Sequence, residues 1–74
     1  MLDIDVYSLF ERARDRCGFK SDLAACRSFG FSEGLPRSWR KNPQHISDEA
    51  LEILCEKAGE PLEPLRIRVH AAKR

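Results

Sequence analysis

Polar and charged side chains that could contact a polyanion are concentrated in one short stretch, residues 33–41. The stretch holds an acid, a hydroxyl and three bases: Glu33, Arg37, Ser38, Arg40 and Lys41. Arginine can donate two hydrogen bonds to guanine O6 and N7, and glutamate can accept one from cytosine N4. These residue types therefore suit contact with nucleic acid, although charged residues also serve simply as solvated surface groups.

Three further residues, Lys20, Ser21 and Asn42, stand where helices are expected to begin or end. Helix N-termini offer free amides and a positive dipole, so phosphates are commonly bound at such places. These three are candidate contacts with a phosphate backbone. Trp39, among the bases, is expected in the core, and stacking on a nucleotide is the alternative.

Cysteines and histidines supply little further chemistry. Cys17, Cys26 and Cys55 are odd in number and lack CxxC spacing, so we expect reduced core thiols, with a zinc site recruiting His45 as the alternative. The two histidines are far apart in the sequence, and the acids of residues 48–63 have the spacing of the solvent-exposed face of a helix. The sequence therefore predicts neither an enzyme, nor a cofactor, nor a small-molecule substrate.

Size and charge narrow the class of protein. A chain of 74 residues makes one domain, which buries only about 60% of its unfolded surface and would gain stability by dimerisation. The net charge is +1, but residues 12–41 carry +5 and residues 48–63 carry −5. No apolar run approaches the ~18 residues of a membrane span and no signal-peptide pattern is present. We therefore expect a cytoplasmic protein with no membrane partner.

Apolar stripes predict the first two helices. The first is expected to be capped by Asp3, to end at Gly18 and to bury Val6, Leu9, Phe10, Ala13 and Cys17. The second is expected to be capped by Ser21 and to end at the turn residue Gly30. Its inward residues are predicted to be Leu23, Ala25 or Cys26, and Phe29.

A third, shorter helix is expected over residues 35–41, because Pro36 is tolerated only in the first turn of a helix. Trp39 should point inward, and Arg37, Ser38, Arg40 and Lys41 outward. After a loop at residues 42–45, Ser47 is expected to cap a fourth helix that Gly59 ends. Its inward residues are predicted to be Ala50, Leu51, Leu54, Cys55 and Ala58.

The C-terminal segment, residues 61–74, leaves two alternatives open. Leu62, Leu65, Val69 and Ala72 fit one face of a helix opened by Pro64, whereas residues 65–70 alternate like a half-buried strand. The fold class predicted is therefore all-α, with four to five short helices, unless this segment is a strand. In either form it is expected to serve dimerisation through Leu62, Leu65, Ile67 or Val69.

Residues 21–42 combine two short helices, a glycine turn, apolar residues on one side and cations on the other, as is typical of a helix-turn-helix. Over residues 10–65 the chain resembles the lambda-type Cro and repressor family. Gly30 and Trp39 have the family's nine-residue spacing, and WRKN at 39–42 resembles its tryptophan, basic residue and terminal glycine. FERAR at 10–14 through KSDLA at 20–24 is similar to small phage or prophage regulators. Cys26 and Pro36 depart from the family's alanine and valine.

The resemblance implies a lambda-repressor-like helix-turn-helix domain over residues 1–74. It places Glu33, Arg37, Ser38 and Lys41 at bases of the major groove. Arg40 is predicted to contact phosphates together with Lys20, Ser21 and Asn42. It further implies a sequence-specific transcriptional regulator, a Cro-like repressor of a phage or mobile element, that binds a double-stranded operator. Because a single small recognition element contacts only a few base pairs, we expect a homodimer. The alternative is a protein-binding module, antirepressor or antitoxin-like, which the acidic residues 48–63 favour.

Overall fold

Five α-helices joined by short turns make up the computed structural model, which describes residues 5–72. They are α1 (Val6–Arg16), α2 (Asp22–Phe29), α3 (Leu35–Lys41), α4 (Asp48–Ala58) and α5 (Leu62–Ala72). No β-strand occurs among the described residues. The predicted all-α class is therefore confirmed, and the C-terminal segment takes its helical alternative.

Helix α1 begins at a carboxylate cap. Asp5 accepts hydrogen bonds from the amide of Ser8 at 3.1 Å and from its hydroxyl at 2.8 Å. These hydrogen bonds favour the ionised carboxylate and hold the pKa of Asp5 below its usual value. Asp3, the cap predicted from the sequence, lies outside the described residues.

Helices α2 and α4 begin and end at the residues that the sequence predicts. Ser21 and Ser47 each accept a hydrogen bond at 3.1 Å from the amide three positions later. Gly30 and Gly59 end these helices in the left-handed conformation, with φ of 80° and 74°. Such caps satisfy amides and carbonyls that the ends of a helix leave free, which is why they set the helix limits so sharply.

The core lies mainly between α1 and α4, with α5 closing it from one side. Phe10 is central: its ring centroid lies 6.0 Å from that of Trp39 and 6.5 Å from that of Phe29. Both α2 and α3 therefore rest on α1 through aromatic contacts. The residues buried from α4 are the predicted Ala50, Leu51, Leu54, Cys55 and Ala58.

Two predicted core positions are wrong. Cys17 is exposed, because α1 ends one residue before it and Cys17 is the C-cap. Leu23 is 42% exposed, since the buried face of the short helix α2 is formed instead by three other residues, Ala25, Cys26 and Phe29. Both errors fall at helix ends, where the stripe pattern is least constrained.

Two predicted boundaries also differ. Pro43–His45 form one 3-10 turn where the sequence predicts a loop. Helix α5 begins at Leu62, two residues before the predicted start at Pro64. Pro64 therefore lies within the first turn, where its missing amide donor costs no intrahelical bond. None of the helices in residues 5–72 is long and apolar enough to cross a membrane.

Candidate nucleic-acid interface

Helix α3 turns Trp39 inward and its polar residues outward, and its limits match the predicted 35–41. Trp39 is 2% exposed, and its ring centroid lies 5.4 Å from that of Phe31. Pro36 lies in the first turn and is also buried, so it takes an inward position without disturbing the helix. The opposite face of α3 presents four exposed polar residues, Arg37, Ser38, Arg40 and Lys41.

The residues predicted to contact bases or phosphates are all exposed. Those predicted for bases are Glu33, Arg37, Ser38 and Lys41, and those predicted for phosphates are Lys20, Ser21, Arg40 and Asn42. Three of the second set bracket the α2–turn–α3 segment, because Lys20 and Ser21 precede α2 and Asn42 follows α3, while Arg40 lies within α3. Exposure leaves each of them open to a ligand.

Ion pairing differs between two bases of α3 and the acidic residue that precedes the helix. Within residues 5–72, no carboxylate forms an ion pair with Arg37 or Lys41. Glu33, by contrast, has its Oε1 3.7 Å from Nη2 of Arg27, and both side chains are well exposed. An exposed pair at this separation contributes little free energy, so Glu33 can exchange Arg27 for another donor.

A network that the sequence does not predict fastens α2 and α3 to α1. The hydroxyl of Tyr7 donates to Oδ2 of Asp22 at 2.7 Å, and Nη1 of Arg14 donates to Oδ1 of the same carboxylate at 2.5 Å. The Cζ atom of Arg40 lies 4.5 Å from the centroid of the Tyr7 ring, within the range of a cation–π contact. The first residue of α2 and the second half of α3 are thereby attached to one tyrosine.

The electrostatics of this network centre on the Asp22 carboxylate. Its hydrogen bond from Tyr7 raises the pKa of that phenol. Its hydrogen bond from Arg14 likewise raises the pKa of the guanidinium, with Asp15 adding to the effect. The negative charge at the start of α2 is thus compensated by Arg14 rather than left to face solvent alone.

One sequence signal could have suggested the network. Tyr7 and Arg14 are seven residues apart, which places them on one side of α1, next to the apolar stripe. That spacing identifies a shared face but not a partner. The partner, Asp22, is fifteen positions from Tyr7 and meets it only through tertiary packing.

The network adjoins the predicted base contacts. Tyr7, Asp22 and Arg40 line a shallow groove together with three residues of the turn and of α3, Glu33, Pro36 and Arg37. The groove thus offers two guanidinium groups, two carboxylates and a phenol. The guanidinium groups of this surface can donate hydrogen bonds to anionic oxygens. Its guanidinium and carboxylate groups can also donate to and accept from the polar edges of bases.

The cysteines occupy two kinds of environment. Cys26 and Cys55 are buried free thiols, as predicted, and burial raises the pKa of both. No group of three His, Cys, Asp or Glu side chains within residues 5–72 is close enough to hold a metal ion. The zinc alternative that recruits His45 therefore has no ligand set in that part of the chain.

The residues predicted for dimerisation divide into three environments. Val69 is fully buried in the core of the monomer, while Leu62 and Leu65 are half-buried against it. Ile67 is 64% exposed. Any contact made by the outer face of α5 would therefore centre on Ile67, and Val69 is not accessible to it.

Comparison of the chain with protein-family models, with curated proteins and with solved structures finds no match in any of the three. Function is therefore inferred from the residues and their geometry.

Proposed function

We propose that the protein is a sequence-specific DNA-binding regulator of transcription, a cytoplasmic Cro-like repressor of a phage or mobile element. The observation that carries the proposal is the outer face of α3. It presents Arg37 and Lys41 exposed and without a carboxylate partner in residues 5–72, while Trp39 anchors the opposite face. An α-helix with its side chains is about 10–12 Å in diameter, which suits a major groove about 12 Å wide. Residues 21–42 then act as a helix-turn-helix, with α3 as the recognition helix.

Base recognition is assigned to the exposed residues at the start and along the outer face of α3. Arg37 can donate two hydrogen bonds to guanine, and Glu33 can accept one from cytosine after leaving Arg27. Ser38 can bond to either kind of base edge. Lys41, at the end of the helix, contributes a mobile ammonium donor.

Phosphate contacts are assigned to the ends of the same segment. Ser21 caps α2, so the first amides of that helix face the DNA backbone with the positive end of the helix dipole. Lys20 precedes this cap, and Asn42 follows α3. Arg40, within α3, supplies a guanidinium group for a further phosphate contact. Such contacts orient a protein on DNA without specifying a sequence.

A homodimer completes the proposal. A single recognition helix reads few base pairs, and two-fold related copies would read two half-sites about 34–36 Å apart. The surface best suited to the contact is the outer face of α5 around Ile67, since Leu62 and Leu65 pack against the core of the monomer.

The test is binding to labelled duplexes, measured by fluorescence anisotropy over a range of salt concentrations. Replacing Arg37 or Lys41 by alanine should each weaken specific binding by about 1–3 kcal/mol for a base contact, or make the salt dependence shallower for a phosphate contact. The matched control is Lys57→Ala, which removes an exposed base from α4. If the α3 variants bind every duplex as the Lys57→Ala protein does, α3 is not the reading element.

A second candidate function is a protein-binding module of the antirepressor or antitoxin type. The observation that favours it is an acidic stripe on α4, formed by Glu49, Glu52 and Glu56, all exposed and without a basic partner in residues 5–72. Under this interpretation, Glu52→Lys would abolish co-purification with a larger partner, and the alanine variants of α3 would retain it. The DNA-binding proposal predicts instead that Glu52→Lys retains binding to DNA and that the alanine variants of α3 lose specific binding.

A further inference from the structure

Tyr7 joins the two helices of the proposed DNA-binding segment, although it belongs to neither. Its hydroxyl donates to Asp22, the first residue of α2, at 2.7 Å, and its ring lies 4.5 Å from the guanidinium carbon of Arg40 in α3. We propose that Tyr7 is the positioning residue of the DNA-binding surface. It holds the Arg40 guanidinium ready for a backbone phosphate and fixes the start of α2 beside it. The inference rests on the proposed function and names the residue through which Arg40 acts.

The first step is the ordering of Arg40. An unrestrained arginine on a helix surface samples many rotamers, and fixing it on binding costs free energy. Arg40 already lies over the ring of Tyr7 in the free protein. A guanidinium whose face stacks on a ring keeps the N–H donors at its edge available for a phosphate oxygen. Arg40 is therefore preorganised, which distinguishes it from Arg37 and Lys41.

The second step is the charge at the start of α2. The Asp22 carboxylate lies next to the amides of the Ser21 cap, where a phosphate is proposed to bind, and an uncompensated carboxylate would repel it. Arg14 donates to one oxygen of Asp22 at 2.5 Å and Tyr7 to the other at 2.7 Å. Tyr7 therefore keeps this carboxylate turned toward α1 while its ring holds Arg40.

The third step is proximity to the base contacts. Tyr7, Asp22 and Arg40 line one groove with Glu33 and Arg37, the residues assigned to bases. A phosphate bound by Arg40 would thus lie at the edge of the surface that reads sequence. This phosphate would set the register of α3 in the major groove.

The experiment is a double-mutant cycle read out by salt dependence. Binding of a fluorescein-labelled mixed-sequence DNA duplex is measured for the wild type, Tyr7→Leu, Arg40→Ala and the double variant. Each single variant should make the slope of log K against log salt shallower by about 0.9 for each DNA phosphate that the protein no longer neutralises. The double variant should show the same slope as Arg40→Ala alone, because the Tyr7 ring and Arg40 act on the same phosphate.

Two controls separate positioning from folding. Tyr7→Phe keeps the ring but not the hydroxyl, so it should restore the wild-type slope while binding remains weaker than in the wild type. Side-chain NMR of the free protein should show ring-current shifts at Arg40 in the wild type and in Tyr7→Phe, and none in Tyr7→Leu. Circular dichroism establishes that each variant is folded at the assay temperature.

The outcomes are distinguishable. Additive slope changes in the double variant, or a wild-type slope in folded Tyr7→Leu, would overturn the role of Tyr7 and leave the proposed DNA binding in place. Failure of the wild type to bind the duplex, with the ring-current shifts at Arg40 intact, would overturn the proposed function and the role of Tyr7 with it.

Discussion

Two apolar residues of α5, two positions apart, should respond in opposite ways to the same substitution. Val69 is fully buried, whereas Ile67 is 64% exposed. Val69→Asp removes about 1.5–3 kcal/mol of apolar burial and adds a penalty of several kcal/mol for an unpaired buried carboxylate. Ile67→Asp alters a surface position, where substitutions usually change the free energy of unfolding by no more than about 0.5 kcal/mol.

The size of the first effect is decisive for a chain this small. At about 0.05–0.15 kcal/mol per residue, a domain of 74 residues is stable by roughly 4–11 kcal/mol. Val69→Asp should therefore remove most of the stability, and much of the protein should be unfolded in the absence of denaturant. At a protein concentration low enough for the wild type to be monomeric, Ile67→Asp should retain the wild-type midpoint of urea denaturation. Circular dichroism during a urea titration measures both variants directly.

The same variants separate folding from assembly. If the proposed homodimer forms through α5, Ile67→Asp should sediment as a folded monomer, because the substitution places a charge at the centre of the contact. A double substitution that included Val69 could not test this point, since unfolding alone would abolish assembly. A wild-type denaturation midpoint for Val69→Asp, or unfolding of Ile67→Asp, would refute the packing described for α5.

Two further predictions concern a glycine and the cysteines. Gly59→Ala should lower the free energy of unfolding by about 1–2 kcal/mol, because φ is 74°, a left-handed conformation that strains an alanine. Gly34→Ala has ordinary backbone and open space, so its urea midpoint should be unchanged or higher; equal destabilisation at both positions would contradict this. A thiol reagent should modify Cys17 in the native protein and the two buried cysteines only after unfolding, as peptide mass mapping would show. Equal rates at all three thiols would contradict the burial described.

Most of the helix limits could be predicted from the sequence, because caps are local chemistry. Ser21 and Ser47 each bond to an amide three residues later, and Gly30 and Gly59 take a conformation that other residues adopt only with strain. Pro36 likewise restricts where α3 can begin, because proline is tolerated only in the first turn. None of these inferences requires knowledge of distant residues.

Features that depend on packing between helices could not be predicted in the same way. Apolar and polar residues alternate over residues 65–70, a pattern that is compatible with a strand. The segment is helical instead, and the helix buries Val69 in the core. Leu23 lies outside because α2 rests on α1 through Phe29 and its neighbours. The contact between Tyr7 and Asp22 spans fifteen positions and has no local signature.

Selection of bound duplexes from a random pool tests most directly the proposal that the outer face of α3 recognises a DNA sequence. The predicted result is enrichment of two inverted copies of a short half-site, centred about 10–10.5 base pairs apart or a multiple of that spacing. The same selection with Arg37→Ala should show no preference at one position of each half-site that the wild type specifies. A pool that shows no enriched sequence, with binding that never exceeds the non-specific level, would contradict the claim.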